Sequence, residues 1–290
     1  MAVSGLRLNL LGAPTLVSGN DPVALSPGAA MLVAYLALAP REGRQRAVAA
    51  AQLFADCPED SARRRLNTAL WRLQSEVRAS TGVELVGRSG GRSVALSPAV
   101  PMTVDAVHFE DLLAPVLRRS VVDLDDNDVR RLEDAVALHR GRLVEACEDE
   151  WVLGARHRIE TLYLTALDYL VQHHGTRGDV VAVDHYGALA LAIEPLREDV
   201  HRHLMGAYAA SGRPDLVERQ FEQCRLTLLA ELGADPMPET VALYARITRG
   251  DAGQAASVAA LVAELERARR EVVRLAEIVD RALDRLHRMP

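Results

Sequence analysis

A chain of 290 residues with 49% apolar content is long enough for two cores, and its three isolated cysteines, Cys57, Cys147 and Cys224, argue against a disulfide framework or a CxxC centre and fit a reducing compartment. No uncharged apolar run approaches the roughly 20 residues of a membrane helix, and no basic stretch leads into a signal-like segment, so the expectation is a cytoplasmic protein without membrane contact. The formal charge of −6 is uneven: all 34 basic residues are arginine, and residues 1–100 hold 11 Arg against 7 acidic residues, net +4, which leaves −10 for residues 101–290. The first hundred residues are thus the part suited to a polyanion.

Leu6, Leu8 and Leu10 alternate with Arg7 and Asn9, and Gly12, Pro14, Gly19, Asn20 and Asp21 punctuate short apolar pieces that end at Val23 and Leu25. This pattern predicts a small antiparallel sheet. A helix follows from Pro27 or Gly28 to Leu38 with Met31, Leu32, Tyr35 and Leu36 on its core face. A second spans Gln45 to Phe54, with Val48 and Leu53 packing on the first. The third, from Ser61, places Leu66, Ala69, Leu70, Leu73 and Val77 on one apolar stripe and Arg64, Arg65, Thr68 and Arg72 elsewhere, with Asp60 or Ser61 as its N-cap. A basic helix of this kind can enter a major groove; a solvated arginine face on a packed helix is the plainer alternative.

Next come a strand over Glu84–Val86, a Ser89-Gly90-Gly91 turn flanked by Arg88 and Arg92, and a strand over Ser93–Leu96. The glycines lack a GxxxxGK[ST] pattern and a strand-to-helix setting, which removes a phosphate-cradling loop. Sheet, three helices and terminal hairpin together make a winged helix.

The segments LRLNLLGAPTL and ARRRLNTALWRLQSEV and the hairpin resemble the first domain of the antibiotic regulatory proteins of actinobacteria (SARP) and their wider family, in which an OmpR-like winged helix precedes a bacterial transcriptional activation domain. The resemblance runs over about residues 6–247. It implies a recognition helix at residues 62–77 and makes Arg63, Arg64, Arg65, Asn67, Thr68, Trp71 and Arg72, with Arg88 and Arg92 on the wing, the DNA-binding candidates. Trp71 has a second reading, as a seal between helix and hairpin.

Pro98 and Pro101 bracket a boundary, after which VDAVHFEDLLAPVL resembles the start of the family's second domain, anchored through Val104, Val107 and Leu112. Another helix covers Asn127–Leu138. Glu150, Trp151, Arg156, Arg158 and Glu160 match the family's acidic-Trp segment and the Arg/Glu-rich helix behind it, with Trp151 as a plug between helices. Gly178 and Gly212 lie 34 residues apart, the tetratricopeptide period, and Ala182, Tyr186, Leu189, Leu204, Ala207 and Tyr208 are the expected packing residues. ELGADPMPET resembles the family's ending motif. His173, His174, His185, His201 and His203 lack ligand spacing and are read as structural or surface residues.

After GDAGQAAS, apolar residues recur at spacings of three and four through Val258, Leu261, Leu265, Ala268, Val272, Leu275, Val279, Ala282, Leu286 and Met289, which predicts a coiled coil joining two copies or a helix folded back on the repeats, with Val258, Leu261, Leu265, Val272, Leu275, Val279 and Leu286 as the joining residues. The expected architecture is mainly α. It comprises a winged helix with a small β-sheet and wing hairpin at 1–100, an activation domain of TPR-like helices at 101–249, and a linker with a C-terminal coiled-coil helix at 250–290. No catalytic residue, cofactor or metal is assigned, since no carboxylate pair or nucleophile constellation emerges. The expected function is sequence-specific promoter binding by a homo-oligomer, a dimer first. The resemblance implies activation through RNA polymerase, with the sigma subunit as one contact. The alternative is a helical-repeat adaptor that binds protein through both parts.

Overall fold

The computed structural model describes residues 5–40, 43–87, 92–145 and 147–249. The chain forms two compact units that divide between Ala166 and Leu167. Arg88 and the seven residues expected to form a coiled coil, Val258, Leu261, Leu265, Val272, Leu275, Val279 and Leu286, lie outside the described residues.

In the first unit, β1 (Leu6–Asn9), β2 (Thr15–Ser18) and β3 (Asp21–Val23) form a meander, and Leu6, Leu8 and Leu16 point into the core from the alternating positions. The sheet is not wholly antiparallel. The short strand Met102–Val104 pairs in parallel with β1, in the register Leu6 to Met102 and Leu8 to Val104. Three helices follow: α1 (Pro27–Ala37), α2 (Arg46–Leu53) and α3 (Glu59–Thr81). Between α1 and α2 lies β4 (Arg44–Gln45), and after α3 come β5 (Val86–Gly87) and β6 (Ser93–Leu96), so that β6 pairs with both β4 and β5. The Met102–Val104 strand is therefore β7.

α1 buries Leu32, Tyr35 and Leu36 as expected and also Val33 and Ala34, while Met31 is half-exposed. On α2, Val48 points to solvent at 43% exposure, and the buried residues are Ala49 and Ala50. Small side chains at the contact let α2 approach its neighbours closely, and the larger valine is left on the outer face.

Asp105 begins α4 (Asp105–Val116) and ties it to the sheet, its carboxylate accepting the Leu10 N–H at 2.6 Å and the Leu11 N–H at 3.0 Å. Burial pushes this carboxyl above the ordinary carboxylate range, against the lowering effect of those amides. α4 is held by Ala106, Phe109, Leu113 and Val116; the expected anchors Val104 and Leu112 are half-buried and Val107 is exposed. The core stripe therefore starts two residues after Val104 and follows the period through Phe109 and Leu113. α5 (Asp126–Leu138) opens with a capping box in which Asp125 accepts the Asn127 and Asp128 amides.

α6 (Glu150–Arg177) carries the buried Arg156 near its start. Its guanidinium donates to the carbonyls of Leu143 and Val144, each at 3.0 Å, and of Cys147 at 2.7 Å. Val144 sits at φ 50, a left-handed conformation that a β-branched residue rarely adopts, and its own N–H donates to Leu10 O at 2.8 Å. Hydrogen bonds on both sides hold that peptide.

The second unit contains α7 (Val180–Ile193), α8 (Glu198–Ala210), α9 (Pro214–Leu232) and α10 (Pro238–Thr248). Gly178, Gly212 and Gly233 take φ of 72, 70 and 62 at the helix junctions, where a left-handed residue ends one helix and lets the next turn back. Of the expected packing residues, Leu204 and Tyr208 are buried, whereas Ala182, Tyr186, Leu189 and Ala207 are half-buried. On α7 the inward face is instead Val183, Gly187, Ala190 and Leu191. The phase is set by Gly187, where a Cβ would stand 2.9 Å from a Leu204 methyl. Glu198 is buried and accepts the Met237 N–H at 2.9 Å and the Thr240 hydroxyl at 2.5 Å, so one carboxylate caps the start of α10. His201 is buried between the Gln220 side chain and the Pro195 carbonyl, and His173 meets Arg177. Among the described residues no helix is long and apolar enough to cross a membrane, and no group of three or more His, Cys, Asp and Glu is placed to hold a metal.

Candidate nucleic-acid interface

The sequence of α3 divides it into two faces. Leu66, Leu70, Leu73 and Val77 are buried, each worth roughly 1.5–3 kcal/mol relative to exposure before the cost of ordering. The helix starts earlier than Asp60 or Ser61. Pro58 is the N-cap residue and makes no side-chain cap; Glu59 and Asp60 lie in the first turn, where their charges oppose the positive end of the helix dipole. Gly82 ends the helix at φ 72.

Side chains from three directions fix α3 in place. Glu76 accepts the Ser26 N–H at 2.9 Å and the Ser26 hydroxyl at 3.2 Å, which clamps the start of α1 onto α3. Gln74 accepts the Val86 N–H at 3.0 Å and so sets where the hairpin leaves the helix. From α2, Arg46 donates to Asn67 Oδ1 at 2.6 Å. These tethers are contributed by residues that carry no sequence signature of their own.

The outward face bears Arg64, Thr68, Trp71 and Arg72, all exposed, and Trp71 is 70% exposed. Trp71 therefore does not seal the helix against the hairpin. Arg64 donates to the Ser61 hydroxyl at 3.2 Å, and the Thr68 hydroxyl donates to the Arg64 carbonyl at 3.1 Å. Arg63 pairs with Glu59 at 2.5 Å and Arg65 lies 3.5 Å from Asp56, both exposed pairs that contribute little to stability. Asn67 is exposed but already engaged by Arg46. Arg92 is exposed at the start of the returning wing strand. The candidates thus fall into an outward group, Arg64, Thr68, Trp71 and Arg72, and a flank, Arg63, Arg65 and Asn67, while Arg92 stands on the wing.

Behind this face, Tyr35 is fully buried, donates its hydroxyl to Gln52 at 2.6 Å and lies under the Arg44 guanidinium at 4.9 Å. Burial pushes its hydroxyl up in pKa, against the pull of Arg44. Trp151 meets the Tyr35 ring edge-on at 5.1 Å between centroids, and its indole N–H donates to Asp149 at 3.1 Å. Trp151 is thus half-buried against α1 with its polar edge satisfied, a contact between residues 116 positions apart that no local pattern announces. Arg158 donates to Glu110 at 2.8 Å, joining α6 to α4.

A family model described as the bacterial transcriptional activator domain matches residues 104–248. Comparison with curated proteins gives no match. Among solved structures, the chain is similar to Mycobacterium tuberculosis EmbR, described in complex with a low affinity phosphopeptide, with a TM-score of 0.66 and 20% identity over 90% of this chain and 71% of that one. At that identity the likeness is one of fold.

Proposed function

The chain belongs to the bacterial transcriptional activator domain family, and we propose that it is a DNA-binding transcriptional regulator that reads promoter DNA with α3. The observation that carries this reading is Trp71, 70% exposed on the face opposite the buried stripe and flanked by Arg64, Thr68 and Arg72. A tryptophan left in water between arginines costs hydrophobic free energy that a binding surface recovers. Arg64, Thr68, Trp71 and Arg72 approach the base edges. Arg63, Arg65 and Arg92 hold phosphates, Arg88 remains a further phosphate candidate, and Asn67 joins them if Arg46 releases it.

The functional division follows residues 1–100, 101–249 and 250–290, as DNA reader, activation domain and joining segment. The activation domain contacts RNA polymerase, its sigma subunit included. Leu226, Leu229 and Leu232 on α9 and Met237 and Val241 around the start of α10 are exposed and offer apolar surface for a protein partner. Two copies, joined through Val258, Leu261, Leu265, Val272, Leu275, Val279 and Leu286, bind paired half-sites with an avidity that one winged helix lacks. The protein acts by binding in the cytoplasm and performs no chemistry.

The reading is tested by fluorescence anisotropy with a duplex of the preferred sequence over about 0.05–0.3 M salt, comparing the full chain with Arg65→Ala and Arg92→Ala. Each phosphate contact removed lowers the slope of log affinity against log salt by about 0.9. Variants with unchanged affinity and slope would remove these arginines from the interface.

A further inference from the structure

We infer that the first unit carries a binding groove for an amphipathic organic anion whose occupation displaces promoter DNA; the displacement rests on the reading of α3 just given. The groove encloses about 490 Å³ between the start of α1, the turn from α2 into α3 and one side of α3, with Asp149 at its edge. That volume lies in the roughly 300–1,000 Å³ range that holds small organic ligands. Its floor is apolar, made by the buried Leu32 and the half-buried Leu53 and Phe54.

Arg64, Arg65 and Arg72 stand around that floor, three guanidinium groups against the single carboxylate of Asp149. Among the described residues Arg72 has neither an ion pair nor a hydrogen bond, so a bound anion meets a cation with no partner to displace. Phosphate alone would leave the apolar floor uncovered, and a purely apolar molecule would leave the guanidinium groups unanswered and cover their hydrating water. A molecule with an apolar body and one anionic end satisfies both. The carboxylate at the edge disfavours further negative charge and accepts from a hydroxyl or amine.

The two ligands compete because Arg64, Thr68 and Arg72 line the groove and also belong to the outward face of α3. When binding is mutually exclusive, an anion present at ten times its own Kd raises the apparent Kd for DNA about elevenfold. The groove thereby makes promoter release responsive to a small molecule without any change of fold.

The probe is 8-anilinonaphthalene-1-sulfonate, titrated calorimetrically into the full chain, with DNA affinity read by anisotropy in its presence. We expect one saturable site and the elevenfold weakening at ten times the measured Kd. Met31 lines the groove and is not among the DNA-binding candidates, so Met31→Trp, whose larger ring intrudes on the groove, weakens sulfonate binding and preserves DNA affinity. Met31→Glu, at a half-exposed position that tolerates charge, offers the arginines an internal carboxylate; it abolishes sulfonate binding and weakens DNA binding as a bound anion does. Absence of saturable binding by the folded protein, or both Met31 variants binding like the parent, would overturn the groove. Sulfonate binding that leaves DNA affinity unchanged would overturn the competition alone. Sensitivity to Met31 in a protein that selects no DNA would overturn the reading of α3, and the competition with it, while the groove stood.

Discussion

Replacing Arg156 with methionine removes the guanidinium that binds three carbonyls from within the first unit. The side chain is 4% exposed, and its bonds to Leu143, Val144 and Cys147 measure 3.0, 3.0 and 2.7 Å. Burial lowers the pKa of this guanidinium, which records a desolvation cost that the carbonyls must offset. Hydrogen bonds to a charged group contribute about 1.5–3 kcal/mol each, but that cost is shared among them, and removing one side of a buried charged network typically costs about 3–5 kcal/mol. Val144 at φ 50 stores strain of order 1–3 kcal/mol, part of which is released once its carbonyl is free. The net expectation is therefore the lower end, about 3 kcal/mol. In urea, with a slope near 2–3 kcal/mol/M, the midpoint falls by roughly 1–1.5 M. Tryptophan emission follows the transition, because Trp151 packs on Tyr35 whereas Trp71 is already in solvent. Arg156→Lys loses about half as much, since one ammonium cannot span three carbonyls. A loss below about 1 kcal/mol for Arg156→Met would refute the idea that this fork holds the strained segment.

Glu198→Gln keeps the shape but weakens the cap on α10, and should cost about 1.5–3 kcal/mol in urea unfolding, with Thr240→Val coupled to it in a double-mutant cycle. Gly187→Ala pushes a methyl against Leu204 and should destabilise by about 1 kcal/mol after its gain in helix propensity; Leu204→Val should absorb part of that penalty, and strict additivity of the two would contradict the close packing. Because burial raises the Asp105 carboxyl in the folded state, ionisation works against folding. The stability of the parent relative to Asp105→Asn is therefore greatest below the ordinary carboxylate pKa, falls as pH rises from there through the raised folded value, and is flat above it. Paired urea titrations from about pH 3 to pH 8 measure that difference.

The orientation of α3 is legible because its two faces differ in chemistry: Leu66, Leu70, Leu73 and Val77 against Arg64, Thr68 and Arg72 leave one way to orient it. α1 was legible as a helix but not in orientation, since PGAAMLVAYLA offers apolar residues all round. Val48 points outward against its expected burial because side-chain size predicts burial only when space is available, and Ala49 and Ala50 take the inward positions on α2. The parallel pairing of β7 with β1, the Asp105 bonds to Leu10 and Leu11, and the meeting of Tyr35 with Trp151 join residues about a hundred positions apart. Such pairings have no periodicity to betray them. On α7 the inward face depended on Gly187, whose missing side chain reads in sequence as a weakness and in the fold as the seat of Leu204. Trp71 carried two opposite readings that only its exposure separates.

The most direct test of the central claim is selection of duplex fragments by the full chain at about 0.15 M salt, followed by footprinting of the selected sites with the parent and with Trp71→Ala. Trp71 is exposed, so its removal should change stability by less than about 0.5 kcal/mol and leave a folded protein to assay. The account predicts a discrete motif, repeated at the spacing of two half-sites, protected by the parent and lost or strongly weakened in the variant. A folded parent that enriches no sequence, or a variant that protects the same motif with the same affinity, would contradict it.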